Sequence, residues 1–284
     1  MRKTLNLFLI LSFVLSLVGC TNGENTKPDT STKTPESSIT NVGLNPLKIV
    51  GQIGGSTNAV AVQGNVAFVG VGYRLMILDV TDPAHPQELG ASQPLQSQIQ
   101  DIAIQGEVAY LATGESGLAI LNIADPSQPT LVSQYDTLGF AEGILVDQDQ
   151  AFIADGPGGM SILDIGDLSN PTLVSESFSR NYIYDITLDE SNAYLAAAGA
   201  GLLVADVSDS THPIETSRLD TTGFAYALAK IGAILYIADG WEGLQVLDVS
   251  DPVRPELKNT LQTPGWAMDV TFLNDSLYVA DAFG

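Results

Sequence analysis

The stretch Ala238–Pro255, ADGWEGLQVLDVSDPVRP, decides how the rest of the chain is read. Its apolar run around Asp248 has the length of a short strand and stops at Ser-Asp-Pro, a turn sequence. The pattern recurs every 42 to 43 residues. Its acidic or amide position returns at Asp79, Asn122, Asp164, Asp206 and Asp248, and its closing proline at Pro86, Pro129, Pro171, Pro213 and Pro255. Five full copies stand in register, and a sixth begins at Trp266. A period of roughly 40–45 residues with several short strands per unit is the signature of an all-β propeller.

One unit shows how a blade is built. From Ile99 to Phe140, Asp101–Ile104 alternates and meets a turn at Gln105–Glu107. Val108–Thr113, Leu118–Ile123 and Thr130–Tyr135 are three further strands, separated by Gly114–Gly117 and Ala124–Pro129. Each strand is short, rich in β-branched or aromatic residues and bounded by turn residues. Four antiparallel strands in sequence make one blade. In the turns, Asp bonds its own backbone two residues on, and Pro fixes φ for the next corner. Gly117, Gly159, Gly201 and Gly243 share one position, which predicts positive φ or close packing between blades. Arg74 occupies it in the first copy.

These residues resemble the LVIVD-repeat family of bacterial and archaeal surface proteins. The matching strings are Ile77–Val80, Ile162–Ile165 and Val246–Val249, with slight departures at Ile120–Ile123 and Val204–Val207. Gly-Leu precedes the string at Gly117, Gly201 and Gly243, and Asp-Pro follows it at Asp82, Asp125 and Asp251. The resemblance covers residues 45–284. It implies a propeller and a surface setting, and it names no activity, because propellers host many unrelated functions.

The N-terminus predicts export. Arg2 and Lys3 precede an apolar run from Leu5 to Val18, a charged n-region followed by an h-region too short for a membrane span. Leu17–Cys20 resembles the lipobox of bacterial lipoproteins. That resemblance implies residues 1–19 as a signal peptide, a lipidated Cys20, and a protein held in the bacterial cell envelope at the outer membrane or cell surface. Cys20 is the chain's one cysteine, so an internal disulfide is excluded. After it, the stretch up to residue 44 is rich in Thr, Ser, Asn, Pro and Lys and reads as a disordered tether.

Without residues 1–19 the chain keeps 9 Lys and Arg against 33 Asp and Glu, a net charge of −24. Such a surface repels nucleic acid and anionic lipid headgroups and suits a neutral or cationic ligand, or simply solubility. The ends add a further expectation. Asn45–Val50 aligns with Asn170–Ser175, so the folded part opens on an outermost strand without a blade of its own. The sixth copy, from Trp266, carries two strands of a blade. Pairing both termini in one blade, with a third strand supplied by about ten further residues, would close a six-bladed ring. The chain as given is therefore expected to continue, and if further full copies follow, the ring has seven or more blades.

Four antiparallel strands per blade also sort side chains by face. One position before the innermost strand reads Ser56, Gln98, Phe140, Tyr182, Phe224 and Trp266. Two residues later the series is Asn58, Gln100, Glu142, Tyr184, Tyr226 and Met268. Tyr73, Trp241 and Phe283 sit on second-to-third loops of the same face. Aromatics thus crowd one side of one face. They either plug the top of the propeller or bind a polysaccharide, peptide or protein. The inner strands then open on Ala59, Asp101, Gly143, Asp185, Ala227 and Asp269, acid alternating with small residue. The three carboxylates at the channel mouth either hold a cation or amine, or bond neighbouring backbone N–H groups. Metal binding stays open at this point. His85 and His212 are turn residues three blades apart.

The sequence offers no nucleophile with an orienting base, zinc spacing, P-loop or dinucleotide fingerprint. No cofactor is expected. Three readings stand. The first is a lipid-anchored surface propeller that binds through Phe140, Tyr182, Tyr184, Phe224, Tyr226, Trp241 and Trp266. The second is a carboxylate-based hydrolase or lyase using Asp101, Asp185 or Asp269. The third is a structural scaffold within a longer surface protein.

Overall fold

The computed structural model describes residues 57–273 and 276–282. Cys20, the tether, the strand expected at residues 45–50 and Phe283 lie outside the described residues.

Among the described residues the chain is all strand and turn. The first sheet is β1 (Thr57–Gln63), β2 (Val66–Val71), β3 (Arg74–Asp79) and β4 (Gln87–Ala91). The second is β5 (Asp101–Gln105), β6 (Val108–Ala112), β7 (Leu118–Asn122) and β8 (Thr130–Tyr135). The third is β9 (Gly143–Asp147), β10 (Gln150–Ala154), β11 (Met160–Asp164) and β12 (Thr172–Ser177). The fourth is β13 (Asp185–Asp189), β14 (Asn192–Ala196), β15 (Leu202–Asp206) and β16 (Ile214–Leu219). The fifth is β17 (Ala227–Ile231), β18 (Ile234–Ala238), β19 (Leu244–Asp248) and β20 (Glu256–Leu261). β21 (Trp266–Leu273) and β22 (Ser276–Ala282) pair as a two-stranded sixth sheet. Each sheet is an antiparallel meander in chain order.

The two middle strands of each blade are buried along nearly their whole length. Their side chains alternate between two faces, so each sheet is apolar on both sides and needs a neighbour on each. The core accordingly lies between sheets. Phe68, Leu75 and Ile77 of the first sheet pack with Leu111, Leu121 and Ile123 of the second. Tyr110 and Ile120 pack with Ile153 and Leu163, Phe152 and Ile162 with Leu195 and Leu203, and Tyr194 and Val204 with Ile237 and Leu247. Each such Leu or Ile contributes about 1.5–3 kcal/mol when fully buried. The innermost strands β1, β5, β9, β13, β17 and β21 touch in succession, while the outermost strands are largely exposed.

The repeated string is marked by a bulge. In all five copies the register against the fourth strand slips at one place: Ile77/Leu78, Ile120/Leu121, Ile162/Leu163, Val204/Ala205 and Val246/Leu247. The extra residue turns the outer strand. Just past it, Ser133, Ser175 and Ser217 donate to the backbone oxygens of Leu168, Ser210 and Pro252, at 2.6, 2.6 and 2.7 Å. Each bond ties a blade to the Asp turn of the next, at the residue after Asp167, Asp209 or Asp251.

The turn chemistry matches the sequence reading. Asp79, Asn122, Asp164, Asp206 and Asp248 each accept the backbone N–H two residues on, at 2.8–3.0 Å. Asp82, Asp125, Asp167, Asp209 and Asp251 do the same at 2.9–3.2 Å. His85 and His212 lie in these turns against Asp82 and Asp209, both exposed.

The shared glycine has the expected positive φ, and its close packing is against the fourth strand of its own blade rather than between blades. Gly159 has φ +85°, and a Cβ there would stand 2.3 Å from the Ser177 oxygen. Arg74 escapes the demand because the first blade joins β2 to β3 by a tight turn, with Val71 paired to Arg74 itself. The later blades use a longer loop, pairing Ala112 with Leu118 and its equivalents.

Candidate binding face

The alternating acids cap the inner sheet edge. The innermost strand of each blade has no partner on its channel side, so every second N–H there needs an acceptor. Asp101 accepts from Ile102 N–H at 2.7 Å with one oxygen and from Ile144 N–H, one blade on, at 2.8 Å with the other. Asp185 repeats this with Ile186 and Leu228, both at 2.7 Å. One carboxylate thus serves two blades, and the blade between carries a small residue that leaves it room. At Gly143 an added Cβ would come within 3.0 Å of the Tyr184 oxygen. Asp269 accepts from Val270 N–H at 2.7 Å, and among the described residues its other oxygen has no donor.

The three carboxylates share one axis. Loss of hydration pushes Asp185 up to about 8, reinforced by the charges of Asp101 and Asp269 against two opposing backbone bonds. Asp101 is raised to about 6, first by desolvation, and Asp269 is raised by the same cause. Asp101 and Asp185 are half-buried and Asp269 is exposed, so none is fully sealed from solvent. Among the described residues no three His, Cys, Asp or Glu side chains converge closely enough to hold a metal ion. Both oxygens of Asp101 and Asp185 are engaged by backbone donors. Of the two sequence readings of these acids, the geometry supports backbone capping. The hydrolase or lyase reading gains from it no pair of acids free to act on a substrate.

The aromatics form an unbroken run over the fourth to sixth sheets. Tyr182 and Tyr184 stand 4.6 Å apart between centroids, Tyr184 and Tyr226 5.0 Å, Phe224 and Tyr226 4.9 Å, Tyr226 and Trp266 5.9 Å, and Trp266 and Trp241 4.1 Å. Phe140 stands outside this run, one blade earlier, with its ring over Gly114. Three residues of its series lie against the second-to-third loop of the preceding blade: Phe140 at Gly114, Tyr182 at Gly156 and Trp266 at Gly240. These rings are half-buried and partly structural, so the plugging role is real for one of their faces. Trp266 supports its neighbour from below, whereas Trp241 is 69% exposed. Toward the other blades the mouth is polar. Tyr182 donates to Glu142 at 2.6 Å, and Asn58 donates to Gln100 at 3.3 Å.

Other acids of this face are structural in a way the sequence did not disclose. Asp155 is buried and accepts from Thr137 Oγ1 at 2.6 Å, Gly139 N–H at 3.0 Å and Ser161 Oγ at 3.2 Å. Asp239 repeats this with Thr221 at 2.6 Å and Gln245 at 3.2 Å. Each staples the inter-blade loop onto the second strand. The available signal was a threonine 18 residues before each acid. The serines that lock the outer rim, Ser133, Ser175 and Ser217, also went unread, although they recur at the repeat spacing. Two shallow depressions lie away from the mouth, one beside Leu138 and Glu176, the other beside Arg180, Glu215 and Arg218.

Repeated four-stranded meanders stacked face to face define the β-propellers, and solved structures agree. The Myceliophteria thermophila Cps50 (Swd1) β-propeller domain is similar with a TM-score of 0.60 at 10% identity, over 75% of each chain. BamB from Moraxella catarrhalis gives 0.56 at 17% identity, over 80% of this chain and 81% of its own. The computationally designed Ika8 protein gives 0.64 at 12% identity, over 80% of this chain and 68% of its own. Within that class the chain belongs to the LVIVD-repeat family, whose repeat matches residues 54–92, 98–137, 138–179, 182–221 and 223–263. No curated protein matches it.

The channel acids give the fold a pH dependence. An unfolded aspartate titrates near about 4. Asp101 and Asp185 titrate higher when folded, at about 6 and about 8. Between these limits the folded state binds more protons than the unfolded one, so stability falls as pH rises. The denaturant midpoint is expected to be higher at pH 5 than at pH 8, and Asp185→Asn is expected to flatten the difference. Equal midpoints for the native protein at both pH values would show that the ring ionises without cost.

Proposed function

We propose that this protein is a lipid-anchored propeller of the bacterial cell envelope whose aromatic arc binds a polysaccharide, peptide or protein. The observation that carries the reading is the run of rings from Tyr182 to Trp241, ending in a tryptophan left mostly open to solvent. Large rigid aromatics backed by other rings give contact area at little cost in side-chain entropy, the usual composition of binding hot spots. The anchor rests on the lipobox resemblance at Cys20, with the tether holding the propeller off the lipid.

The closed form of the ring is six-bladed. Ala67, Val69, Leu78 and Val80 form a buried apolar cluster on the first sheet. They occupy the positions of Ala109, Leu111, Leu121 and Ile123, which in the second sheet pack against the preceding blade. The first sheet therefore presents a face shaped for a preceding blade, the sixth. The acids point the same way. One carboxylate per two blades repeats without a fault only in an even-numbered ring, and the donor that Asp269 lacks corresponds to the Val60 N–H.

Two experiments test these statements. The full-length protein should sediment with membranes, and Cys20→Ser should release it; release of neither or both forms would remove the anchor. Against an array of polysaccharides and envelope proteins, a specific hit should weaken by about tenfold or more in Trp241→Ala, the loss of one exposed hot-spot residue. Trp241 is the better choice than Trp266, whose removal would also unseat the loop at Gly240. A hit indifferent to Trp241 would move the site elsewhere. For closure, a cysteine pair at Ala59 and Asp269 should form a disulfide on oxidation, as should a control pair at Gly143 and Asp185. In the control a Cβ at Gly143 already lies 3.5 Å from the Asp185 Cα. Cross-linking of the control alone would leave the seam open and the six-bladed ring unsupported.

A further inference from the structure

We propose that the occupant of the aromatic arc is an arginine- or lysine-bearing segment of a partner protein, its cation seated on the free face of Trp241. This deepens the binding reading above and rests on it. Trp241 is 69% exposed, and its other side is held by Trp266 at 4.1 Å and 36° between planes. A ring supported from behind offers one immobile π face, which attracts a cation within about 6 Å of its centroid.

Charge selects the cation. Glu242 adjoins Trp241, Asp269 follows Trp266 by three residues, and Glu142 is bonded to Tyr182 at the far end of the arc. Among the described residues none of the three meets a lysine or arginine. The ion pairs of those side chains fall elsewhere: Arg218 with Glu215, Lys230 with Asp189, and Lys258 with Asp248 and Glu256. The arc therefore carries an aromatic surface bordered by uncompensated negative charge, on a chain whose net charge of −22 draws cations from a distance. Ring geometry selects against a neutral glycan. Successive rings are tilted by 33° to 62°, so they present no run of coplanar faces along which the apolar faces of successive sugar rings could lie.

The site carries its own reporter. The chain has two tryptophans, and they are the stacked pair itself. The full-length protein in mild detergent would be titrated with an oligo-arginine peptide at about 0.3 M salt, where surface charges more than a few ångströms apart are largely screened. Tryptophan emission is expected to change saturably. Calorimetry is expected to show binding about tenfold weaker in Trp241→Ala, between the sizes of an exposed and a desolvated cation–π contact. Glu242→Gln, which keeps the side-chain shape, is expected to weaken it severalfold. Unchanged binding in both variants would mean diffuse attraction to an acidic surface and would overturn the inference. A saturable response to a neutral glucan oligosaccharide with none to the peptide would also overturn it, yet leave the aromatic-face reading standing. Silence to both probes would remove the inference, and with a blank array it would remove that reading too.

Discussion

A sheet that is apolar on both faces cannot exist alone in water, and every other feature of this chain follows from that constraint. Two buried middle strands per repeat give each blade two faces, and each face demands another blade. Stacking answers the demand wherever a described sheet lies between two others. The same stacking forces the inner strands together around an axis and leaves their channel-side N–H groups without a sheet partner. It also forces the outer turns close enough for Ser133, Ser175 and Ser217 to reach the next blade's backbone.

The inner edge is where the repeat stops being a repeat of one blade. A carboxylate has two oxygens, and the edge offers one suitable N–H per blade at this level. One Asp on every second blade is the economical solution, and the intervening blade must then be small. Replacing Gly143 or Ala227 by a second acid would add repulsion without adding a donor to satisfy. Loss of hydration is the main cause that raises Asp101 and Asp185, and the neighbouring carboxylates add a smaller repulsion. The structural unit is therefore a pair of blades, even though the sequence period is one.

Much of this was legible from the residues, and what was not has a common cause. The period, the four strands, the Asp turns and the glycine at Gly159 are local, so short-range spacing exposes them. The alternation of acid and small residue was also visible, but its meaning was not, because the donor for Asp101 lies 43 residues on at Ile144. Asp155 and Asp239 looked like further acids of an open face, yet each is buried under a loop held by Thr137 or Thr221. The aromatic series stood out in the sequence by its repeat spacing, and Tyr182 to Trp266 come together in the fold, with Phe140 outside the run. The sequence could not show that Trp266 rests on Gly240 with Trp241 above it, since that order depends on how one blade overlaps the next.

The copies agree where they meet one another and differ where they meet solvent. The bulge, the paired Asp turns and the alternating faces recur with little change, because each has a neighbour that fixes it. The mouth positions meet side chains of the mouth itself rather than a repeated partner, and they run from Asn58 and Gln100 through Glu142 to Tyr184, Tyr226 and Met268. That gradient breaks the symmetry of the ring. The mouth therefore carries hydrogen-bonding side chains along the first sheets and tilted aromatic rings along the fourth to sixth. The most exposed of its rings is Trp241, backed on one side by Trp266.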